Sequence, residues 1–326
     1  MSRIYEALQK AESERQVERE ASLREQPVDA DLSLGDVAVE AAPQWPAEAA
    51  MRSEVTVLPE VTVLPEVTRE PVPAVRTPFD LDRVARYPWA PLIQRLPATQ
   101  ERGLAVEQFR SLRSRLFELR DIKPLKSVLV SSGMPQEGKS FVAANLAVSL
   151  ARHKNCKVLL IDGDMRRYTL HEVLGCDSAP GLADYLAGRA EMSDVMQRPE
   201  NGLEEKEGFA AIMNMTFIPG GNGGDKAADL SGNPRFGELI KTASRYFDWI
   251  VVDSSPVLPV SDAVNMARAC DGVLLVARNG ITKFSVAQRA QSEMKASNIL
   301  GFVLNAADNS PSASSYYGYD SKYKYS

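Results

Sequence analysis

Eight residues restrict this chain more than anything else in it: Gly133-Met-Pro-Gln-Glu-Gly138-Lys139-Ser140. They match G-x-x-x-x-G-K-[ST]. In that pattern glycines let backbone N–H groups converge on phosphate oxygens, the lysine reaches the β- and γ-phosphates, and the hydroxyl serves Mg²⁺. The surroundings supply the required context. An apolar strand is predicted over 127–131 and a helix over 139–151, whose N-terminus adds anion affinity of its own. A chain with this unit must set a strand, a tight loop and a helix in succession. Gly133, Gln136, Glu137, Gly138, Lys139, Ser140 and Phe141 are thereby candidate nucleotide contacts, with Lys139 expected to face ligand rather than core.

The rest of the C-terminal part extends the theme. Further apolar runs predict strands over 157–161, 215–218, 249–252, 272–277 and 301–304. Amphipathic stretches predict helices over 104–119, 181–187, 235–246, 261–269 and 284–297. Runs that are apolar on both faces imply a sheet covered on both sides. Their alternation with helices implies parallel βαβ units, and so an α/β, doubly wound, mostly parallel sheet of the P-loop NTPase type. Such sheets bind ligands at the carboxyl ends of their strands.

Two of those strands end in carboxylates. Val158-Leu-Leu-Ile-Asp162-Gly-Asp164-Met-Arg166 places aspartates at i and i+2, on one side of an extended backbone. Trp249-Ile-Val-Val-Asp253-Ser-Ser-Pro256 is a buried strand ending in Asp, the Walker B pattern. Carboxylates beside buried strands are costly unless a cation is near, and Mg²⁺ on a nucleotide meets that need. Lys139, Asp162, Asp164 and Asp253 are the candidate catalytic residues. Ser140, Asp162 and Asp253 are the candidate metal ligands, and either Asp162 or Asp164 is the candidate base.

The N-terminal part differs. Residues 1–100 hold 11 of the 20 prolines and one glycine, Gly35. Residues 1–26 read as an amphipathic helix with Ile4, Ala7, Leu8 and Ala11 at helical spacing. Residues 27–98 read as a disordered, proline-rich linker in which Glu-Val-Thr-Val-Leu-Pro repeats from Glu54. The compact domain is expected over 99–309. Residues 310–326 form a tail with five of the ten tyrosines: Tyr316, Tyr317, Tyr319, Tyr323 and Tyr325. Such a segment cannot build a core, and its hydroxyls can reach a nucleotide site as phosphoacceptors.

These motifs resemble those of the bacterial tyrosine kinases, the polysaccharide-biosynthesis autokinases of the deviant P-loop ATPases. The similarity covers about residues 104–326. By it, Asp162-Gly-Asp164-Met-Arg166 is the Walker A′ motif, Arg166 contacts the cofactor and Asn305 lies near the adenine. The element Glu107-Gln-Phe-Arg110-Ser-Leu-Arg113 becomes an oligomer contact. The opening Met1-Ser-Arg-Ile-Tyr-Glu is similar to autokinases of exosortase-linked exopolysaccharide loci. The family's Pro-x-Glu-Leu-Leu stretch is replaced by Lys226-Ala-Ala-Asp-Leu230, and the membrane-spanning domain fused in many relatives is lacking.

The resemblance implies an ATP- and Mg²⁺-dependent tyrosine autokinase that phosphorylates its tail in trans within a ring-like homo-oligomer and regulates exopolysaccharide export or chain length. A membrane chain-length regulator acts as activator and a cognate tyrosine phosphatase opposes it. The alternative is a partition or positioning ATPase working as a nucleotide-switched dimer; Met134, where those proteins carry a signature lysine, and the tyrosine tail count against it. A non-catalytic scaffold is the third reading, opposed by the intact lysine and aspartates.

The net charge of −5 argues against a nucleic-acid coat. Three scattered cysteines, Cys156, Cys176 and Cys270, support neither disulfides nor a zinc site. With no apolar run of about 18 residues and no signal peptide, the expected place is the cytoplasm, peripheral to the inner membrane through a partner.

Overall fold

Strands with runs of successive apolar residues must be buried on both faces, and apart from one half-buried edge strand the sheet is built that way. The structure, a computed structural model, describes residues 79–153, 156–202 and 209–307. Its strands are β1 (Ser127–Ser132), β2 (Val158–Asp162), β3 (Met215–Ile218), β4 (Trp249–Asp253), β5 (Gly272–Arg278) and β6 (Ile299–Asn305). They form one parallel sheet in the order β3-β2-β4-β1-β5-β6. The six predicted strands are all present, shifted by at most two residues at an end.

Alternate residues of each strand feed two separate cores. Leu129, Leu159, Ile161, Ile250 and Val252 join one. Val128, Val130, Val158, Leu160 and Val251 join the other. The second core is closed by α1 (Leu104–Ile122) and α2 (Lys139–Ala151). Every residue of α2 from Val142 to Ala151 is buried, because a helix apolar on all sides must be enclosed. The first core is closed by α4 (Leu182–Leu186), α6 (Pro234–Ala243), α7 (Asp262–Ala267) and α8 (Phe284–Glu293). Two short helices, α3 (Leu170–Leu174) and α5 (Ala227–Ser231), were not predicted. The second stands where the family's Pro-x-Glu-Leu-Leu stretch is replaced. No helix among the described residues is long and apolar enough to cross a membrane.

One boundary differs from expectation. Residues 79–98, assigned above to the linker, pack against the domain. Val84, Trp89, Leu96 and Ala98 are buried, and the Trp89 ring meets Phe217 edge-on. Ala90 N–H and Leu92 N–H donate to the carbonyls of Gly175 and Val173. Asn145, inside α2, accepts from Ala98 N–H at 3.0 Å and donates to the Arg95 carbonyl at 3.0 Å. Arg86–Tyr87 also pairs with Arg198–Pro199 as a short parallel ladder. Pro88, Pro91 and Pro97 hid this strap, since they erase any helical or strand period while leaving buried side chains between them. The expected helix 1–26, the linker to residue 78 and the tyrosine tail lie outside the described residues.

Candidate functional site

The sheet order brings the carboxyl ends of β1, β2 and β4 together, with β4 between the other two. The phosphate loop leaves β1. Asp162 ends β2, the loop that follows carries Asp164, and Asp253 ends β4. Gly163 lets these meet. Its N–H donates to the Asp253 carbonyl at 2.7 Å. A Cβ there would stand 2.6 Å from that same oxygen. Gly138, with φ +95°, caps α2, and a Cβ on it would strike the Asn305 amide.

Around that junction the charges are packed tightly. Lys139 Nζ donates to Asp164 Oδ2 at 2.8 Å and to Ser140 Oγ at 3.2 Å, and stands 3.7 Å from Asp253 Oδ1. The Lys139 side chain is 12% exposed. In this structure it is the counter-charge of buried carboxylates, a role the expectation that it faces ligand did not include. Burial pushes its ammonium down, but Asp253 and Asp164 outweigh burial and hold its pKa above the ordinary lysine value. Burial pushes Asp162 well above the usual carboxylate range, and the neighbouring Asp253 adds to it. Asp253 is raised by burial too, with Lys139 and the Ser140 hydroxyl offsetting part of the rise.

Hydrogen bonding separates three aspartates that look equivalent in the sequence. Both oxygens of Asp162 accept backbone N–H groups, from Asp164 at 3.2 Å and Leu170 at 3.1 Å. Asp164 is shared between Lys139 and the Arg167 N–H. Asp253 Oδ1 is buried and has no hydrogen-bond partner among the described residues. Its nearest cation is Lys139 Nζ at 3.7 Å, an ion pair beyond hydrogen-bond distance.

The other candidates are placed as follows. Asn305 Nδ2 donates to the Glu137 carbonyl at 3.0 Å, so β6 touches the phosphate loop. Arg166 is committed to Asp262, with Nε 2.8 Å from Oδ2. Gly133 lies against Val286 of α8. Phe141 is 38% exposed and stacks obliquely on Phe109. In α1, Arg110 pairs with Glu107 at 2.6 Å on the surface. Arg113 donates to the Ser149 carbonyl at 2.7 Å within the same chain. Gly163 and Asp262 were given no role in the sequence reading. A small residue between the two aspartates was the one visible signal, for the first.

No protein-family profile matches the chain. Individual relatives do. Over 221 residues it is 35% identical to tyrosine-protein kinase Wzc of Salmonella typhimurium, covering 66% of this chain and 29% of that protein. It is 31% identical over 223 residues to tyrosine-protein kinase YwqD of Bacillus subtilis, covering 68% of this chain and 88% of the relative. The chain belongs to the bacterial tyrosine-protein kinases. Solved kinase domains agree in fold. The tyrosine kinase ETK domain of Escherichia coli superposes with TM-score 0.54 at 28% identity, over 63% of this chain and 78% of that one. The BceF tyrosine kinase domain gives 0.55 at 26%, over 64% and 81%. The chain spans less than a third of the Wzc length.

Proposed function

We propose that the protein is a tyrosine autokinase that transfers the γ-phosphoryl group of ATP to its own C-terminal tyrosines. The observation that carries the reading is the convergence of Lys139, Ser140, Asp164 and Asp253 at the mouth of the phosphate loop, with one aspartate oxygen unsatisfied. Phosphoryl transfer requires positioning and charge neutralisation, which this arrangement suits.

The donors also fit Mg²⁺. They are hard oxygens, from Asp253 and the Ser140 hydroxyl, as that cation prefers. Among the described residues no three His, Cys, Asp or Glu side chains are placed to hold a metal by themselves, so nucleotide phosphates and water would supply the remaining ligands. When bound, Mg²⁺ supplies neutralisation of the phosphate charge. The loop N–H groups and the N-terminus of α2 hold the phosphates in register. Lys139 turns from Asp164 toward the phosphates and stabilises charge there. Asp164, once Lys139 has turned, accepts the tyrosine proton at Oδ2. Asp162 fixes the Asp164 backbone through the Oδ1 contact and keeps the loop shaped. Tails act between molecules in a ring-like homo-oligomer, through the surface pair Glu107 and Arg110, while Arg113 is held within its own chain. A membrane chain-length regulator, an opposing phosphatase and control of exopolysaccharide assembly complete the reading.

The test is incubation of the full chain with γ-labelled ATP and Mg²⁺. Label on tail tyrosines is expected. Free phosphate without labelled tyrosine would return the protein to the class of nucleotide-switched ATPases.

A further inference from the structure

The phosphate loop is braced from the β5 side by residues outside its own pattern. β5 ends at Arg278, and the turn 279–283 leads into α8. In that turn Thr282 is buried. Its hydroxyl accepts Arg278 N–H at 2.8 Å and donates to Glu137 Oε1. Glu137 is an acid inside a loop shaped for anions, yet it is 2% exposed. Its other oxygen, Oε2, accepts Met134 N–H at 2.9 Å. Arg278 Nη1 reaches the Gln136 carbonyl at 3.1 Å. Gln136 has φ +66°, a left-handed conformation that a side chain keeps only where its surroundings hold it.

Both side-chain oxygens of Glu137 are thus engaged within the protein. Its side chain points back into the protein and joins two ends of the turn 134–136 to the β5–α8 connection. A carboxylate so near the phosphates repels them, and it is tolerable because two donors occupy its oxygens. We propose that Thr282 is a positioning residue of the nucleotide site: through Glu137 its hydroxyl fixes the turn 134–136 so that the loop N–H groups stay aimed at the phosphates. Arg278 is the outer brace. The inference rests on the nucleotide reading above and adds to it a determinant from a different part of the chain.

Calorimetric titration of the full chain with ADP and Mg²⁺ tests it. Thr282→Val keeps the volume but strips Glu137 Oε1 of its donor and Arg278 N–H of its acceptor, so affinity falls about tenfold. Thr282→Ser retains the hydroxyl and stays within about twofold of wild type, since only a methyl group is lost. Glu137→Gln has one oxygen for two donors and weakens binding about fivefold. Thermal unfolding without nucleotide identifies any variant that does not fold. Wild-type affinity in Thr282→Val, or in Glu137→Gln should the valine variant not fold, overturns the proposal. So does a Thr282→Ser chain as weak as the valine variant. A wild-type chain that binds no ADP overturns the nucleotide reading instead, which distinguishes the two failures.

Discussion

Lys139 serves the ligand and the fold with one atom. Its Nζ neutralises Asp164 and Asp253, so Lys139→Met removes the counter-charge of a buried cluster as well as a phosphate contact. Tyrosine labelling should be lost, and stability should fall by about 3 kcal/mol, the usual cost of stripping one member of a buried pair. The sign of its pH dependence follows from the carboxylates. Burial holds Asp162 and Asp253 above their ordinary values, so the folded state binds more protons than the unfolded one. Stability therefore falls as pH rises from the unfolded value through the folded one. Without Lys139 these values rise further, so the deficit in Tm should be smaller near about pH 5 than near about pH 8. Thermal melts of the two chains across that range check it. Asp253→Asn should lower turnover on the order of a hundredfold, measured over a Mg²⁺ titration. A rate equal to wild type at every Mg²⁺ concentration would remove Asp253 from the site. The loop pattern and the strand-terminal aspartates were legible because motif and context coincide. The different hydrogen bonding of Asp162 and Asp164 was not, since it depends on Leu170 N–H, presented by a helix of five residues that no period reveals.

At the scale of elements, α1 shows how one spacing can conceal two roles. Glu107, Arg110 and Arg113 recur every three residues, and the helix over them was readable from its apolar stripe. The structure divides the arginines. Arg110 lies on the surface with Glu107, whereas Arg113 ties α1 to α2 through the Ser149 carbonyl. Arg113→Ala should lower Tm by about 2–4 °C, the effect of roughly one hydrogen bond in a domain of this size. Arg110→Ala should leave Tm unchanged, because an exposed pair contributes about 0–1 kcal/mol. Arg110→Ala should also weaken self-association in sedimentation and slow labelling of a kinase-dead partner chain. Unaltered sedimentation would make this face a solvated ion pair.

Over the whole molecule, the boundary of the folded unit was the least legible feature. Proline content announces an extended chain, but an extended chain can still bury what lies between its prolines. A chain starting at residue 99 lacks Trp89, Leu96 and Ala98, and burial of a tryptophan alone is worth about 3–5 kcal/mol. It should melt well below one starting at residue 79, or fail to fold; equal melting temperatures would mean the strap is dispensable. At the other end, Asn305 lies against the phosphate loop, so the last described residues, Asn305 to Ala307, stand at the site's end of the sheet. Truncation after Asn309 should abolish most labelling while ADP binding persists. Phosphate found by mass spectrometry on Tyr168, Tyr185 or Tyr246 would show that the tail is not the main acceptor.

The contact between Gly163 and the Asp253 carbonyl has a use beyond explaining the fold. Substitutions of Lys139, Asp164 or Asp253 each alter a charge in a buried cluster, so they disturb its electrostatics as well as its geometry. Gly163→Ala adds one methyl group and no charge. It would wedge the β2 loop away from β4, so a catalytic defect in that variant would report on distance alone. In cells it would be an inactive form whose ionic surface matches the native protein's, so its phenotype would not be confounded by altered electrostatics.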